Sequence, residues 1–224
     1  MTKICVCFYT NQKFRSREIF LNDYYSKRFF DVFPFRSEDI RQSDFYEKNK
    51  EVMDCETGDG YWLWKPKIIL DCMLKLNDND VVVYTDAGDL VDITYNDILE
   101  FSKTNDYYFT NWGGSRWPQK ICTKRDCFLL MDCDYPKYHE ASQMEAGFLI
   151  LKKTEKNIEL LNEYLYYCSI KDIVSNEPNK FGTNFENWQF HRNDQSILTN
   201  LLVKHNYTFN TCFDDKIRNN IYKP

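Results

Sequence analysis

The chain has 224 residues, with Lys+Arg 29 against Asp+Glu 34 and a formal net charge of −5, a balance that excludes the basic surface on which duplex-DNA binders depend. Hydrophobic residues at 43% and charged residues at 28% exclude a disordered chain, and the length suits one domain with a core of its own. No apolar run approaches the ~20 residues of a membrane span, and the run at 4–9 is too short for a signal peptide.

Residues 4–9 read as a buried strand that begins almost at the N-terminus. A helix follows over about 16–27, with Ile19, Phe20 and Tyr24 near helical spacing. Residues 29–35 read as a second strand, and the charged stretch 36–57 holds a short helix. Gly58-Asp59-Gly60 signals a turn. The next helix, 64–76, carries Pro66 in its first turn, where proline is tolerated, and an apolar face of Ile68, Ile69, Cys72, Met73 and Leu76. Residues 77–80 stop it. Val81-Val82-Val83-Tyr84 is a β-branched run of the kind that fills a central strand buried on both faces. A helix near 95–103, a strand at 106–111, a loop at 113–118 and a helix at 123–132 come next. Residues 146–152 form another strand, and Thr154 caps a helix over 155–170. A polar loop at 175–190 leads into a long helix, 191–205. A last strand at 207–211 precedes a basic tail. Strands alternating with helices predict a single α/β domain with a mostly parallel central sheet flanked by helices.

Nine cysteines are an odd number, and none forms a Cys-x-x-Cys pair, which leaves a zinc site without support and predicts free thiols in a reducing, cytoplasmic compartment. The sequon Asn206-Tyr207-Thr208 then has no use. Aromatics make up 17% of the chain although its mean hydropathy is −0.62. Rings interleaved with Asn, Asp and Lys suit a protein that stacks on sugars or bases; they equally suit an AT-rich coding sequence.

Three segments carry chemistry. Tyr84-Thr85-Asp86-Ala87-Gly88-Asp89 ends the best strand, and ligands of open α/β sheets bind beyond the carboxyl ends of strands. Asp86 there either holds a divalent cation that bridges two phosphates or caps the turn. Gly60-Tyr61-Trp62-Leu63-Trp64-Lys65-Pro66 sets two tryptophans and a lysine at a helix start, where anions bind; the alternative is a pair of core anchors and a solvated lysine. His191-Arg192-Asn193-Asp194-Gln195-Ser196 gathers imidazole, guanidinium, carboxylate and amide groups in the first turns of a helix, with Asp194 as either a catalytic or a capping carboxylate.

Residues 84–88 resemble the metal-binding Asp-x-Asp segment of GT-A-fold glycosyltransferases. Residues 60–66 resemble a block just upstream of that segment in a group of bacterial and large-virus sugar transferases. Ala146-Gly147-Phe148-Leu149-Ile150 resembles their strand beside the acceptor, and His191 to Leu198 resembles their His-Arg-x-Asp-Gln helix. The four blocks span 60–198 in the expected order. The resemblance implies a GT-A-like (Rossmann-like) fold and transfer of a hexose-type sugar from a nucleotide diphosphate, UDP being the commonest, to a glycan or glycoprotein hydroxyl. It implies Mn2+ or Mg2+ on Asp86, and donor contacts from Tyr9, Thr10, Asn11, Trp62, Lys65 and Gly88. It also implies Asp194 or Glu145 as the catalytic carboxylate, and acceptor contacts from Gln195, His191, Gly147 and Lys124. In one departure from the pattern, Gly88 stands where the second Asp belongs. Either Asp89, one place later, is the second metal ligand, or Asp86 works with a later residue; His191 and His205 are the histidine candidates. Arg125 joins Lys124 as a candidate for phosphate or acceptor contact. Two other classes compete. A carbohydrate-binding module explains the aromatics but not a carboxylate after a buried parallel strand. A sugar nucleotidyltransferase calls for a glycine-rich loop after the first strand, and residues 9–13 contain no glycine. The resemblance leaves room for further domains after residue 224.

Overall fold

Every side chain of the first strand, β1 (Ile4–Thr10), is buried, so the strand lies inside a sheet covered on both faces. The computed structural model describes residues 2–28, 31–111 and 117–218. Five strands align in the order β2-β1-β3-β5-β4, where β2 is Asp31–Arg36, β3 Val81–Thr85, β4 Tyr107–Asn111 and β5 Met144–Lys152. β1 pairs in parallel with β2 and β3, while β5 is antiparallel to both β3 and β4. Four of the five strands therefore run the same way. Helices of eight or more residues are α1 (Arg15–Ser26), α2 (Trp64–Leu74), α3 (Tyr95–Ser102), α4 (Glu155–Cys168) and α5 (Asn193–Lys204). This is the single-domain α/β sheet with flanking helices that the sequence pattern predicts.

Alternating strand residues divide the core. Cys5, Cys7, Val82, Tyr84, Leu149 and Leu151 pack with α2, α4 and α5, and Val6, Phe8, Val83, Phe148 and Ile150 pack with α1 and α3 on the other face. All nine cysteines are free thiols, and seven of them are buried. Among the described residues, no helix is long and apolar enough to cross a membrane.

Several elements differ from the expected ones. In α1 the buried residues are Glu18, Leu21 and Tyr25; Ile19 is 79% exposed and Phe20 46%. A charged side chain faces the sheet because Thr10 and Arg36 receive it: Thr10 Oγ1 donates to Glu18 Oε2 at 2.8 Å, and Arg36 donates to both carboxylate oxygens. Periodicity of apolar residues alone misplaces such a face. Residues 36–57 form three short helices, Ser37–Arg41, Asp44–Lys48 and Lys50–Met53. The stretch 123–132 forms only the short helix Arg125–Leu130. Residues 207–211 are not a strand; they lie beside the edge strand β4 through one backbone hydrogen bond, Asn210 N to Phe109 O at 2.7 Å. Of the loop expected at 113–118, residues 113–116 lie outside the described residues, as do 29 and 30 of the second strand and 219–224 of the tail.

The polar loop at 175–190 contains no helix yet is tightly held. The wholly buried Asp126 accepts three backbone N–H groups, from Lys180 at 2.6 Å, Phe181 at 3.0 Å and Gly182 at 3.2 Å. Donors left unpaired in a buried turn are expensive. Asp126→Ala is expected to lower unfolding free energy by about 2–4 kcal/mol and to open residues 179–187 to proteolysis. Urea denaturation and limited digestion check this; an unchanged midpoint and digestion pattern would refute the anchoring role.

Candidate active site

The segment after the short helices is a left-handed turn. Gly58, Asp59, Gly60, Tyr61 and Trp62 have φ of 60, 55, 95, 51 and 60° in succession. Non-glycine residues resist this conformation by roughly 1–2 kcal/mol each, so neighbouring contacts must hold it. Asp59 supplies them by accepting from the Tyr9 hydroxyl, from Ser37 Oγ at 2.8 Å and from Arg41 Nη2 at 2.6 Å. Gly58 is obligatory on a second count, because a Cβ there would collide with the Trp62 ring. Trp64, the first residue of α2, stacks on Tyr9 with centroids 3.8 Å apart and donates to Gly58 O at 2.9 Å. Trp64 is thus a buried anchor, whereas Trp62 is half-exposed in a cavity wall.

Lys65 follows in the first turn of α2 and is 3% exposed. Its Nζ lies 3.0 Å from Asp194 Oδ2 and 3.7 Å from Asp86 Oδ1, donates to Ala146 O at 3.2 Å, and sits 5.3 Å from the Tyr84 ring centre. Burial opposes the ammonium, but Asp194 and Asp86 outweigh it and raise its pKa. Asp194, in the first turn of α5, also accepts from the Tyr164 hydroxyl at 2.8 Å. Burial pushes the Asp194 carboxyl upward despite Lys65 and Tyr164.

Asp86 follows β3 directly. The Tyr84 hydroxyl donates to its Oδ1, and its backbone N–H donates to Gly147 O at 2.8 Å. Burial and Asp86 push the Tyr84 phenol up, which keeps it a donor. A Cβ on Gly147 would lie 3.0 Å from Asp89 Oδ2 and 3.4 Å from Asp86 Oδ2. The missing side chain therefore admits both carboxylates to one spot. Burial, then Asp86 and Glu145, raise the Asp89 carboxyl to about 6. Crowded acids of this kind suit a divalent cation. No group of three or more His, Cys, Asp or Glu is arranged to hold a metal among the described residues, so the chain offers two converging carboxylates rather than a closed cage.

Two cavities meet here. The first, about 440 Å3, is lined by Lys65, Asp194, Glu145, Gly147, Gln195 and His191, among others. The second, about 430 Å3, is lined by Tyr9, Asn11, Phe14, Asp59, Gly88 and Asp89, among others. Trp62 and Asp86 belong to both. Gln195 accepts from Ala146 N at 3.3 Å, and its Nε2 is buried without a partner. The structure thus brings together most residues singled out in the sequence.

Four of them, Thr10, Lys124, Arg125 and His205, it places elsewhere. Thr10 is wholly buried, bonded to Glu18, and lines neither cavity. Lys124 is buried too; its Nζ donates to Glu177 O at 3.2 Å, in a neighbouring cavity. Arg125 pairs with Asp134 at 2.7 Å. Neither histidine candidate is placed to bind a metal. His191 lines the first cavity, but its Nδ1 accepts from Lys124 N and its Nε2 is paired with Ile173 O; burial pulls its pKa down to about 3. His205 lies beyond the opposite end of α5, paired with Glu163 at 2.8 Å. Asp59, Tyr84 and Tyr164 carry structural weight that the sequence reading missed. Their signal was a hydroxyl inside an apolar stripe, as at Leu160, Leu161, Tyr164 and Cys168, and an acid between two glycines.

The raised Asp89 has a consequence for stability. The folded chain binds this proton more tightly than the unfolded chain, whose reference value is 3.8. The resulting stabilisation is full below about pH 4 and is lost as pH rises through about 6. Asp89→Asn is expected to stabilise the fold at pH 7.5 by on the order of 1–2 kcal/mol after solvent screening, with less gain at pH 5. Urea titrations at both pH values measure it; equal or lower stability at pH 7.5 contradicts the crowding of charge.

No protein-family model matches the sequence, and no curated protein does. Solved structures resemble the chain, among them the following three. One is the apo structure of WbbM, a bifunctional glycosyltransferase, with a TM-score of 0.46 and 9% identity; the match covers 89% of this chain but 37% of that one. Another is apo mouse xyloside xylosyltransferase 1, with a TM-score of 0.44 and 6% identity, covering 94% of this chain and 85% of that one. A glycosyltransferase involved in glycosylation of the major capsid of PBCV-1 has a TM-score of 0.37 and 10% identity, covering 72% and 66%.

Proposed function

We propose that this chain is a glycosyltransferase that moves a hexose-type sugar from a nucleotide diphosphate, UDP in the first instance, to a hydroxyl of a glycan or glycoprotein. The observation that carries this reading is the meeting of two cavities on Asp86, with Tyr9 and Asn11 on one side and Lys65 with Asp194 on the other. A donor has the same two-part shape. Its nucleoside takes the second cavity, its diphosphate the shared wall at Asp86, and its sugar the first cavity. A binding module leaves the buried Lys65 and Asp194 beside Asp86 without a purpose, whereas a transferase needs fixed charge at that point.

Asp86 and Asp89 are the residues that would hold Mn2+ or Mg2+, and the cation when bound would neutralise the leaving diphosphate as a Lewis acid. The remaining work falls to the chain. The bond from the anomeric carbon to the diphosphate oxygen breaks, and its electron pair leaves with the diphosphate. The acceptor oxygen forms the new bond to that carbon and gives up its proton to a carboxylate. Lys65 adds positive charge beside Asp86. Asp194 is fixed by Lys65 and Tyr164, which suits a charge set against the oxocarbenium-like sugar. Glu145, which lines the same cavity, is then the group that takes the acceptor proton. Gln195 and the open backbone at Gly147 are left to seat the acceptor.

Asp86→Ala is expected to lower turnover by on the order of 10³, about 4 kcal/mol of barrier, with little change in melting temperature. In a thermal-shift panel of nucleotide sugars with and without Mn2+, a donor at a hundred times its Kd stabilises the folded chain by about 2.7 kcal/mol. Full activity of Asp86→Ala in excess chelator would end the metal assignment, and a panel with no shift would end the transferase reading. Trp62→Ala is expected to weaken donor affinity about tenfold, the size typical of an aromatic contact at a binding site. Calorimetry with the donor found in the panel decides this; a folding defect with unchanged donor affinity would make Trp62 a core residue.

A further inference from the structure

A third cavity, about 520 Å3, adjoins the first across Phe190 and His191, which line both. It lies between the start of the short helix Arg125–Leu130 and the loop at 175–190. Its walls present the side-chain amides of Asn176, Asn179, Asn184 and Gln189, together with Trp188 and Lys124. None of these groups has a part in the transfer step above.

Two donors there lack the acceptors that burial demands. The Trp188 Nε1–H is buried and has no hydrogen-bond partner, although buried indole N–H groups usually find one. Lys124 is 3% exposed, and its ammonium makes one hydrogen bond, to Glu177 O, with no carboxylate in ion-pair contact among the described residues. An ammonium carries three donors. Nearby acids are already engaged: Asp126 by three backbone N–H groups, Glu177 by Lys171 at 2.6 Å, and Asp172 by Lys180 at 2.6 Å. The surroundings are therefore close to charge balance. The dividing wall adds none, since both His191 nitrogens are bonded to backbone and the ring stays neutral. A ligand suited to these donors is uncharged and rich in acceptor oxygens, with a face that can lie against an indole.

We propose that the third cavity seats a neutral sugar next to the one being glycosylated, so that the acceptor is an oligosaccharide of at least two residues. The assignment rests on the transferase reading of the first cavity. A chain of sugars entering past Phe190 places its terminal residue beside Asp194 and its second residue against Trp188. Ring and hydroxyl oxygens then accept from Trp188 Nε1 and Lys124 Nζ, and hydroxyls bond to the exposed Gln189 amide, because the Asn176, Asn179 and Asn184 oxygens are engaged within the protein.

The test uses the intact chain on an array of neutral, uronic and phosphorylated mono-, di- and trisaccharides, each longer glycan printed beside its own terminal monosaccharide. At least one longer glycan is expected to bind about tenfold or more tightly than its terminal sugar alone, as an aromatic anchor implies. That ratio is expected to fall toward one in Trp188→Ala and in Gln189→Ala; Gln189 is exposed, so its variant guards against a folding defect. A ratio near one in the parent chain, or one that survives both substitutions, overturns the assignment. So does a preference confined to uronic or phosphorylated sugars, which would make Lys124 an anion receptor. The nucleotide-sugar thermal shift on the same preparation keeps the two readings apart. A donor shift without a length preference removes the third-cavity proposal alone, and a length preference without a donor shift removes the transferase reading while keeping a saccharide site.

Discussion

One buried ammonium holds the candidate site together. Lys65 reaches from the first turn of α2 to Asp194 at the start of α5, to Asp86 after β3, and to the Ala146 carbonyl in β5. Four elements from distant parts of the chain thus converge on a single nitrogen. Burying an ion pair is a poor way to gain stability, because desolvation of both charges opposes their attraction. What the arrangement provides is position. Helices α2 and α5 cannot slide on the sheet without leaving a charge stranded in an apolar core, so Asp86 and Asp194 are held on the same cavity wall.

The sheet order explains why that wall lies where it does. From β1 the chain crosses to β2 on one side and later to β3 on the other. A crevice therefore opens beyond the carboxyl ends of β1 and β3, at the switch point where open α/β sheets bind ligands. Tyr9 is the last residue but one of the first of these strands, and Asp86 follows the other. Between them stands Trp62, carried by a run of left-handed residues that only the Asp59 contacts and two glycines make tolerable. Strain of this kind is retained where the surrounding structure over-determines it, often at functional positions. Here it turns one indole ring into the partition between two cavities.

Polar satisfaction decides several features that hydrophobic patterning cannot. Glu18 faces the sheet because Thr10 and Arg36 receive it, and Asp126 organises a loop that composition alone marks as irregular. His191 shows the reverse case. A histidine in a suggestive motif is neutral and bonded on both nitrogens to backbone, so it shapes a wall instead of binding a cation. The deciding partners lie outside the local pattern: 8 and 18 residues away for Glu18, and 54 to 56 for the loop N–H groups that meet Asp126.

What the sequence determined by itself was local and periodic. The β-branched run Val81-Val82-Val83, the proline in the first turn of α2, the Thr154 cap and the alternation of strands with helices carry their own structural meaning, because turn geometry and side-chain period are set within a few residues. The same local logic marked Asp86 as a carboxylate at a strand end, and Lys65 and Asp194 as charges in first helical turns. Tertiary structure alone decided that these three meet, that β5 runs against its neighbours, that Gly147 clears space for two carboxylates, and that Thr10 and Lys124 turn away from the two cavities that share Asp86. Those outcomes depend on which distant groups share a buried volume, where most polar atoms must find a partner, and no window of contiguous residues contains that information.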